Sequence, residues 1–413
     1  MALGTETFTA PGAPWVPQEW LFSLAVAAAW NHRLFLALSI AISLIPLWIL
    51  ASVYLRARRD ASFEAIGIAL LFCGIALLES FGARAQVLGW GALALFMLCI
   101  ERRDRWYYAA FPAAILWANV HASVALAPAI VLTRLAATIV DDGFRLRVSR
   151  DLMMLPAVVV ATFCTPLGWR LPYLALTMIG SPIRHYIQEW QPPGLQDASF
   201  LYGALPLAIA ILLGGASTLI REKRRSFPAA LLFAAALFAF RNTALFAIVA
   251  APLAAQGLSA RFPRLYRLGD RARELEPAAF AGIAIAVALA AIALVRAQQR
   301  GPARLPTAAL ATIAADRAGH RIFCENFTWC SIALGYPRLR VFIDGRCDAY
   351  PIPVWQQYVS TIAVRRAWSE PLKADGVDFV VAQRGSGLAR ALAKTPHWGR
   401  TYDDASYVVF HRD

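Results

Sequence analysis

Apolar residues run in long blocks from about Arg33 to Arg296, and many of the blocks end at a short cluster of arginines. A membrane-spanning helix needs roughly 20 apolar residues, with about 17 as the lower end. Leu34–Leu55, Ser62–Ser80, Gln86–Ile100, Leu152–Pro166, Phe200–Ile220 and Ala278–Val295 are blocks of this kind, the Gln86 and Leu152 blocks being a little short. Two further stretches exceed one crossing and break at polar residues. Trp106–Val140 breaks at Asn119–Val120–His121 and Phe227–Leu258 at Arg241–Asn242, so each predicts a pair of helices. The total is about ten spans. Gln18–Asn31 is apolar but too short to cross, which predicts a helix lying in the membrane interface.

From about Arg304 the pattern becomes that of a soluble domain. Helices are expected at Ala308–Ala318, Phe327–Leu334, Val354–Val364 and Ser386–Ala393, and strands at Arg321–Cys324, Arg340–Ile343 and Val377–Ala382, with a hairpin over Trp398–Asp413. The fold class expected is an α-helical polytopic membrane protein with a small C-terminal α/β domain. Its divisions are 1–32 (outer loop and interfacial helix), 33–297 (transmembrane helices) and 305–413 (the α/β domain).

Composition agrees with this pattern: of 413 residues, 59% are hydrophobic and 16% charged, the membrane side of the globular range. The net charge of +14 is carried almost wholly by arginine, Lys223, Lys373 and Lys394 being the only lysines. These arginines sit in short loops between apolar blocks, so they read as orientation signals and not as a nucleic-acid surface. One set of loops, holding Arg56, Arg102, Arg134, Arg221 and Arg261 with their neighbours, carries about nineteen positive charges against about five in the alternate set. The bias puts the first set in the cytoplasm and both termini outside. Met1–Gln18 lacks the pattern of a cleavable signal peptide. Cys73, Cys99 and Cys164 lie in apolar blocks, while Cys324, Cys330 and Cys347 match no zinc spacing and leave one disulfide open in an oxidising compartment.

This topology sorts the polar residues. The outer side receives Phe8–Leu21, Glu79, Arg84, Gln86, Asn119, His121, Arg241 and the long loop Thr165–Asp197. Charge at membrane depth is costly, so such groups pair or line a cavity. Arg84 and Arg241 either snorkel to the interface or line a cavity, and His121 either caps a helix or joins them. Glu19–Trp20 and Glu189–Trp190 share the string QEW. Each glutamate is either a general base or a solvated neighbour of an interfacial tryptophan, and Trp190 falls near a span end. In the tail, DGRCD (Asp344–Asp348) binds a cation or a sugar through Asp344 and Asp348, or Arg346 neutralises both acids and shapes the turn. RGSGLAR (Arg384–Arg390) is an anion nest or only a helix cap.

FTAPGAPWVPQEWL near the start, LWANVHAS at a helix junction, TPLGW and EWQPP in the long loop and VFIDGRCDAYP in the tail occur in this order. The pattern resembles a group of bacterial polytopic membrane proteins described as glycosyltransferases. It is similar in architecture to the GT-C superfamily, which includes protein mannosyltransferases and lipid A aminoarabinose transferases. The resemblance implies a sugar carried on a polyprenyl phosphate, an acidic residue in the first outer loop that activates the acceptor hydroxyl, and basic residues that hold the leaving phosphate. It also implies a spanning helix ahead of the first outer loop, whereas this sequence opens inside the loop. Glu6 is the only acid just before FTAPG, and Gln18 stands where the group commonly has His.

The expected function is a membrane glycosyltransferase with Glu19 as base and Glu6 and Glu189 behind it. Arg84 and Arg241 would hold phosphate, Asn119, His121 and Trp190 would line the cavity, and Asp344, Arg346 and Asp348 would contribute from the tail. Partners are membrane lipid and a polyprenyl-phosphate sugar, with no nucleic acid; a divalent cation stays open as a cofactor. The alternative is a non-catalytic scaffold or a lipid-handling or transport protein of envelope assembly.

Overall fold

The structure is a computed structural model and describes residues 3–4, 6–78, 82, 84–142, 150–263, 305–316 and 318–413. The expected span Ala278–Val295, Glu79, and the loop residues Arg145, Arg147, Arg264, Arg267, Arg271 and Arg273 lie outside the described residues. Contacts divide the chain into two compact units. One is drawn from Pro17–Gly180 and Ile187–Ala291, the other from Met1–Val16, Ser181–Tyr186 and Ile292–Asp413.

The first unit is helical. It runs α1 (Trp20–Asn31), α2 (Phe35–Ala57), α3 (Phe63–Leu78), α4 (Ala85–Ile100), α5 (Ala110–Val120), α6 (Leu126–Asp142), α7 (Arg150–Phe163), α8 (Arg170–Ile179), α9 (Leu205–Gly214), α10 (Ala216–Leu219), α11 (Lys223–Phe238) and α12 (Thr243–Arg261). Leu36–Ala57, Ala122–Asp141 and Phe240–Arg261 are long and apolar enough to cross a membrane. The apolar stretches Trp106–Val140 and Phe227–Leu258 do break, at His121, whose ring accepts the Ser123 N–H, and at Phe240–Asn242, where Ala239 is extended.

Helix α12 is the axis of this unit and is buried along most of its length. Its small residues allow close approach: a Cβ at Gly257 would collide with the Ala210 carbonyl of α9. Pro252 has no N–H to give the Ile248 carbonyl four residues earlier. Arg56 fills that gap from α2, donating from Nη1 to Ile248 O at 2.8 Å and from Nη2 to Val249 O at 3.3 Å. By contrast α2 leaves Leu36, Ile40 and Leu44 more than half exposed. In a spanning helix that face meets hydrocarbon, so its exposure costs little.

One expectation needs correcting. The stretch Thr165–Asp197, read as loop, contains α8. Leu171 and Leu174, one turn apart, are buried, while Tyr173, Leu176 and Ile179 are exposed. The helical period was present but hidden among prolines and aromatics.

The second unit holds a five-stranded sheet of β1 (His320–Cys324), β2 (Leu339–Val341), β3 (Phe379–Gln383), β4 (Trp398–Asp403) and β5 (Tyr407–Arg412), in the order β2-β1-β3-β5-β4. Strands β2, β1 and β3 are parallel, and β5 runs antiparallel to β3 and β4. Its helices are α13 (Thr307–Ala314), α14 (Phe327–Ala333), α15 (Ile352–Ile362), α16 (Glu370–Ala374) and α17 (Gly387–Leu392). Asn326 and Ser386 cap α14 and α17 through their side-chain oxygens. Alternating strand residues send Ile322, Cys324, Val341, Val381 and Val409 into one core, against Leu310, Ile313 and Trp329. The β2 edge does not end the pairing: Thr7 bridges Val341 in parallel, with Val341 N–H donating to Glu6 O at 2.8 Å. The N-terminal segment thus covers an edge that would otherwise be open to other chains.

Candidate functional site

Seven of the residues singled out in the sequence meet at one end of the helical unit: Glu19, Arg84, Asn119, His121, Glu189, Trp190 and Arg241. Glu19 immediately precedes α1, whose start is tied to α5 by a hydrogen bond from Trp20 Nε1 to Asn119 Oδ1 at 3.1 Å. The Asn119 amide donates in turn to Ile115 O at 2.8 Å and Cys164 O at 2.9 Å. Asn119 is therefore a clamp, with its donors and its acceptor all engaged. That geometry sets Glu19 beside His121, with Oε1 at 3.7 Å from Nε2. The His121 side chain is 7% exposed and that of Glu19 40%.

Arg241 sits in the helix break before α12. Its guanidinium lies 4.8 Å from the Trp190 ring centroid, within the range of a cation–π contact. It also feels the charges of Glu189, Glu19 and Arg84. Arg84, at the start of α4, pairs with Glu189 at 3.0 Å. The Phe240 N–H donates to Gln191 O at 2.8 Å, which fixes the QEW loop against the break. The result is a carboxylate next to an imidazole, and two guanidiniums held by a second carboxylate and an indole. A carboxylate so placed can take a hydroxyl proton, and guanidiniums can receive a phosphate leaving group.

Glu6, Asp344, Arg346 and Asp348 lie in the other unit, where Glu6, Asp344 and Arg346 form a separate cluster. Asp344, three residues past β2, is fully buried. Its Oδ1 accepts from Arg346 N at 2.8 Å and Nε at 3.0 Å, and its Oδ2 from Arg346 Nη2 at 2.6 Å and Tyr350 OH at 2.8 Å. Arg346 Nη1 reaches Glu6 Oε1 at 2.8 Å, and the guanidinium lies 5.6 Å from the Trp15 ring centroid. Arg346 thus neutralises Asp344 and Glu6, not Asp344 and Asp348. An acid closed on all sides does not offer its oxygens to a cation or a sugar, so Asp344 holds the turn. The hydrogen bond from Arg346 keeps the Glu6 carboxyl below the usual carboxylate range, whereas burial pushes the Asp348 carboxyl up. The six cysteines, all described, are in no disulfide; Cys324 and Cys330 are buried.

Among the described residues no group of three or more His, Cys, Asp or Glu side chains could hold a metal ion. Sequence reading missed Ser123, Trp117 and Gly89, which pack around His121; the string NVHAS contained Ser123 but gave no sign of its partner. It also missed the tie between Glu6 and Arg346, 340 positions apart.

Many apolar helices with an α/β domain at the C-terminal end make up the architecture of GT-C membrane glycosyltransferases, and the fold of this chain is GT-C-like. The chain is similar to the solved oligosaccharyltransferase of Archaeoglobus fulgidus, tethered with an acceptor peptide containing the NVT sequon. The TM-score is 0.54 and the identity 15%, over 99% of this chain and 67% of that one. It is also similar to apo ArnT from Cupriavidus metallidurans, with a TM-score of 0.50 and 16% identity over 90% of this chain and 83% of that one. No protein-family model matches the sequence, and no curated protein matches it at the level of sequence.

Proposed function

We propose that the chain is a membrane glycosyltransferase that moves a sugar from a polyprenyl-phosphate donor to an acceptor on the outer face of a bacterial inner membrane. The observation that carries this reading is the meeting of Glu19, His121, Arg241, Arg84 and Glu189 at one end of a GT-C-like helical unit. Glu19 takes the proton of the acceptor hydroxyl. The freed oxygen attacks the anomeric carbon as the bond from that carbon to the phosphate oxygen breaks. The polyprenyl phosphate leaves with the electron pair, and Arg241 and Arg84 stabilise its charge. Trp190 supports Arg241, and Glu189 holds Arg84 until phosphate replaces it. Glu6 is bound to Arg346, which favours Glu19 as the base. The arginine bias of the opposite loops supports outward termini.

The test is transfer from a radiolabelled polyprenyl-phosphate sugar by the purified chain in nanodiscs, with wild type compared with Glu19→Gln and Arg241→Ala. Transfer by wild type alone is expected. Donor binding without transfer in any acceptor mixture would favour the lipid-handling alternative, and neither binding nor transfer would sink both.

A further inference from the structure

The hydrogen bonds around His121 fix which ring nitrogen carries its proton. A backbone N–H can only donate, and Ser123 N–H points at His121 Nδ1 at 3.0 Å. Nδ1 must therefore present a lone pair. The indole N–H of Trp117 can only donate as well, and it reaches Ser123 Oγ at 2.9 Å. Ser123 Oγ accepts there, which leaves its own O–H to donate to Nδ1 at 2.8 Å. Two donors on Nδ1 put the imidazole proton on Nε2, the nitrogen that faces Glu19 Oε1 at 3.7 Å. The packing enforces the same arrangement. A Cβ at Gly89 on α4 would come within 3.0 Å of His121 Cβ and 3.3 Å of Ser123 Oγ, so glycine is the residue that leaves room for the pair.

We infer that Trp117 and Ser123 are positioning residues that hold His121 as an Nε2–H donor, and that this donor orients the Glu19 carboxylate and keeps it ionised to receive the acceptor proton. Its catalytic half rests on the proposed function, while its tautomer half stands on the hydrogen bonds alone. The gap of 3.7 Å closes by a small movement of Glu19, whose side chain is 40% exposed, or through one bridging water. A donor on Nε2 aimed at an anion favours the charged form of that anion. It also removes Nε2 as a ligand for a cation, since that nitrogen has no free lone pair.

The experiment uses the full chain in nanodiscs with 15N-labelled histidine. His121→Asn assigns the resonance among the six histidines. Wild type is expected to show a protonated Nε2 and a lone-pair Nδ1. Ser123→Ala keeps the backbone N–H on Nδ1, so the proton is expected to stay on Nε2 while the Nδ1 resonance shifts with the loss of the hydroxyl donor, and Ser123→Thr, which keeps the hydroxyl, is expected to restore the wild-type shift. In the transfer assay Ser123→Ala should lower kcat by about 10- to 100-fold with the KM for donor unchanged, and Ser123→Thr should recover it. A protonated Nδ1 in wild type overturns the inference outright. An Nδ1 resonance unmoved in Ser123→Ala, or a loss that falls on KM alone, overturns the role of Ser123. A wild type without transfer but with the expected resonances removes the proposed function and leaves the tautomer standing.

Discussion

The two ends of the helical unit carry charge in opposite ways. At the end where α4 finishes, Glu101 is buried and meets Arg56 at 2.5 Å and Arg225 at 3.3 Å, and Arg225 also reaches Asp60 at 2.7 Å. Beside it Asp151 accepts from Tyr107 at 2.7 Å and Arg134 at 3.3 Å. At the end where α4 begins, Glu19 and His121 stand 3.7 Å apart, and Arg84 is 59% exposed even in its pair with Glu189. One end is knitted shut from oppositely charged partners on several helices. The other keeps its charges within reach of one another yet open to an incoming group. In the proposed transferase, groups that bind and release a phosphate would be only partly matched in the resting protein, whereas groups that hold helices together gain from being fully matched.

The comparison can be broken at its strongest points. Glu19→Gln should lower transfer by about 10²- to 10⁴-fold with thermal unfolding in detergent unchanged. A matching loss of stability would show that this end is structural too. Glu101→Ala should lower unfolding stability by about 3–5 kcal/mol, because Arg56 is left charged and buried without its carboxylate. Arg56→Met with Glu101→Leu should recover only part of that in the same denaturation experiment, because the Ile248 carbonyl loses its donor and Arg225 its buried carboxylate. Arg84→Ala should cost at most about 1 kcal/mol of stability, since its pair is exposed, while raising the KM for donor.

The smallest effect belongs to Glu6, whose carboxyl is more than a third exposed. Its pKa is depressed in the folded protein by Arg346, so its contribution is present above the unfolded value and is lost as pH falls through the folded one. The protection factor of the Val341 amide, which donates to Glu6 O, should fall below the ordinary carboxylate pKa of about 4.3 and stay level above it.

The sequence made some of this legible for clear reasons. Asn119–His121 and Arg241–Asn242 stand out because polar residues interrupt apolar blocks, and a helix break is where side chains from several helices can converge. The tail declared its first three strands through apolar runs separated by helical ones, though not their direction. Other features leave no local trace. The pairing of Glu6 with Arg346 depends on how an N-terminal segment adds to a sheet edge hundreds of residues later. The Arg56 contact with the Ile248 carbonyl needs two helices to be placed before it can be seen. Within NVHAS the residue types were visible, but the proton on Nε2 follows only from Trp117 pointing at Ser123.

The proline in α12 sets an order on change. While Pro252 remains, loss of Arg56 strands the Ile248 carbonyl inside the bundle with no N–H to meet it. If Pro252 is replaced first, a backbone amide arrives for that carbonyl and the arginine becomes dispensable there, though Glu101 still requires its charge. Mutational routes through this pair should therefore run in one direction, proline before arginine, and chains that have lost the arginine alone should be rare among functional variants.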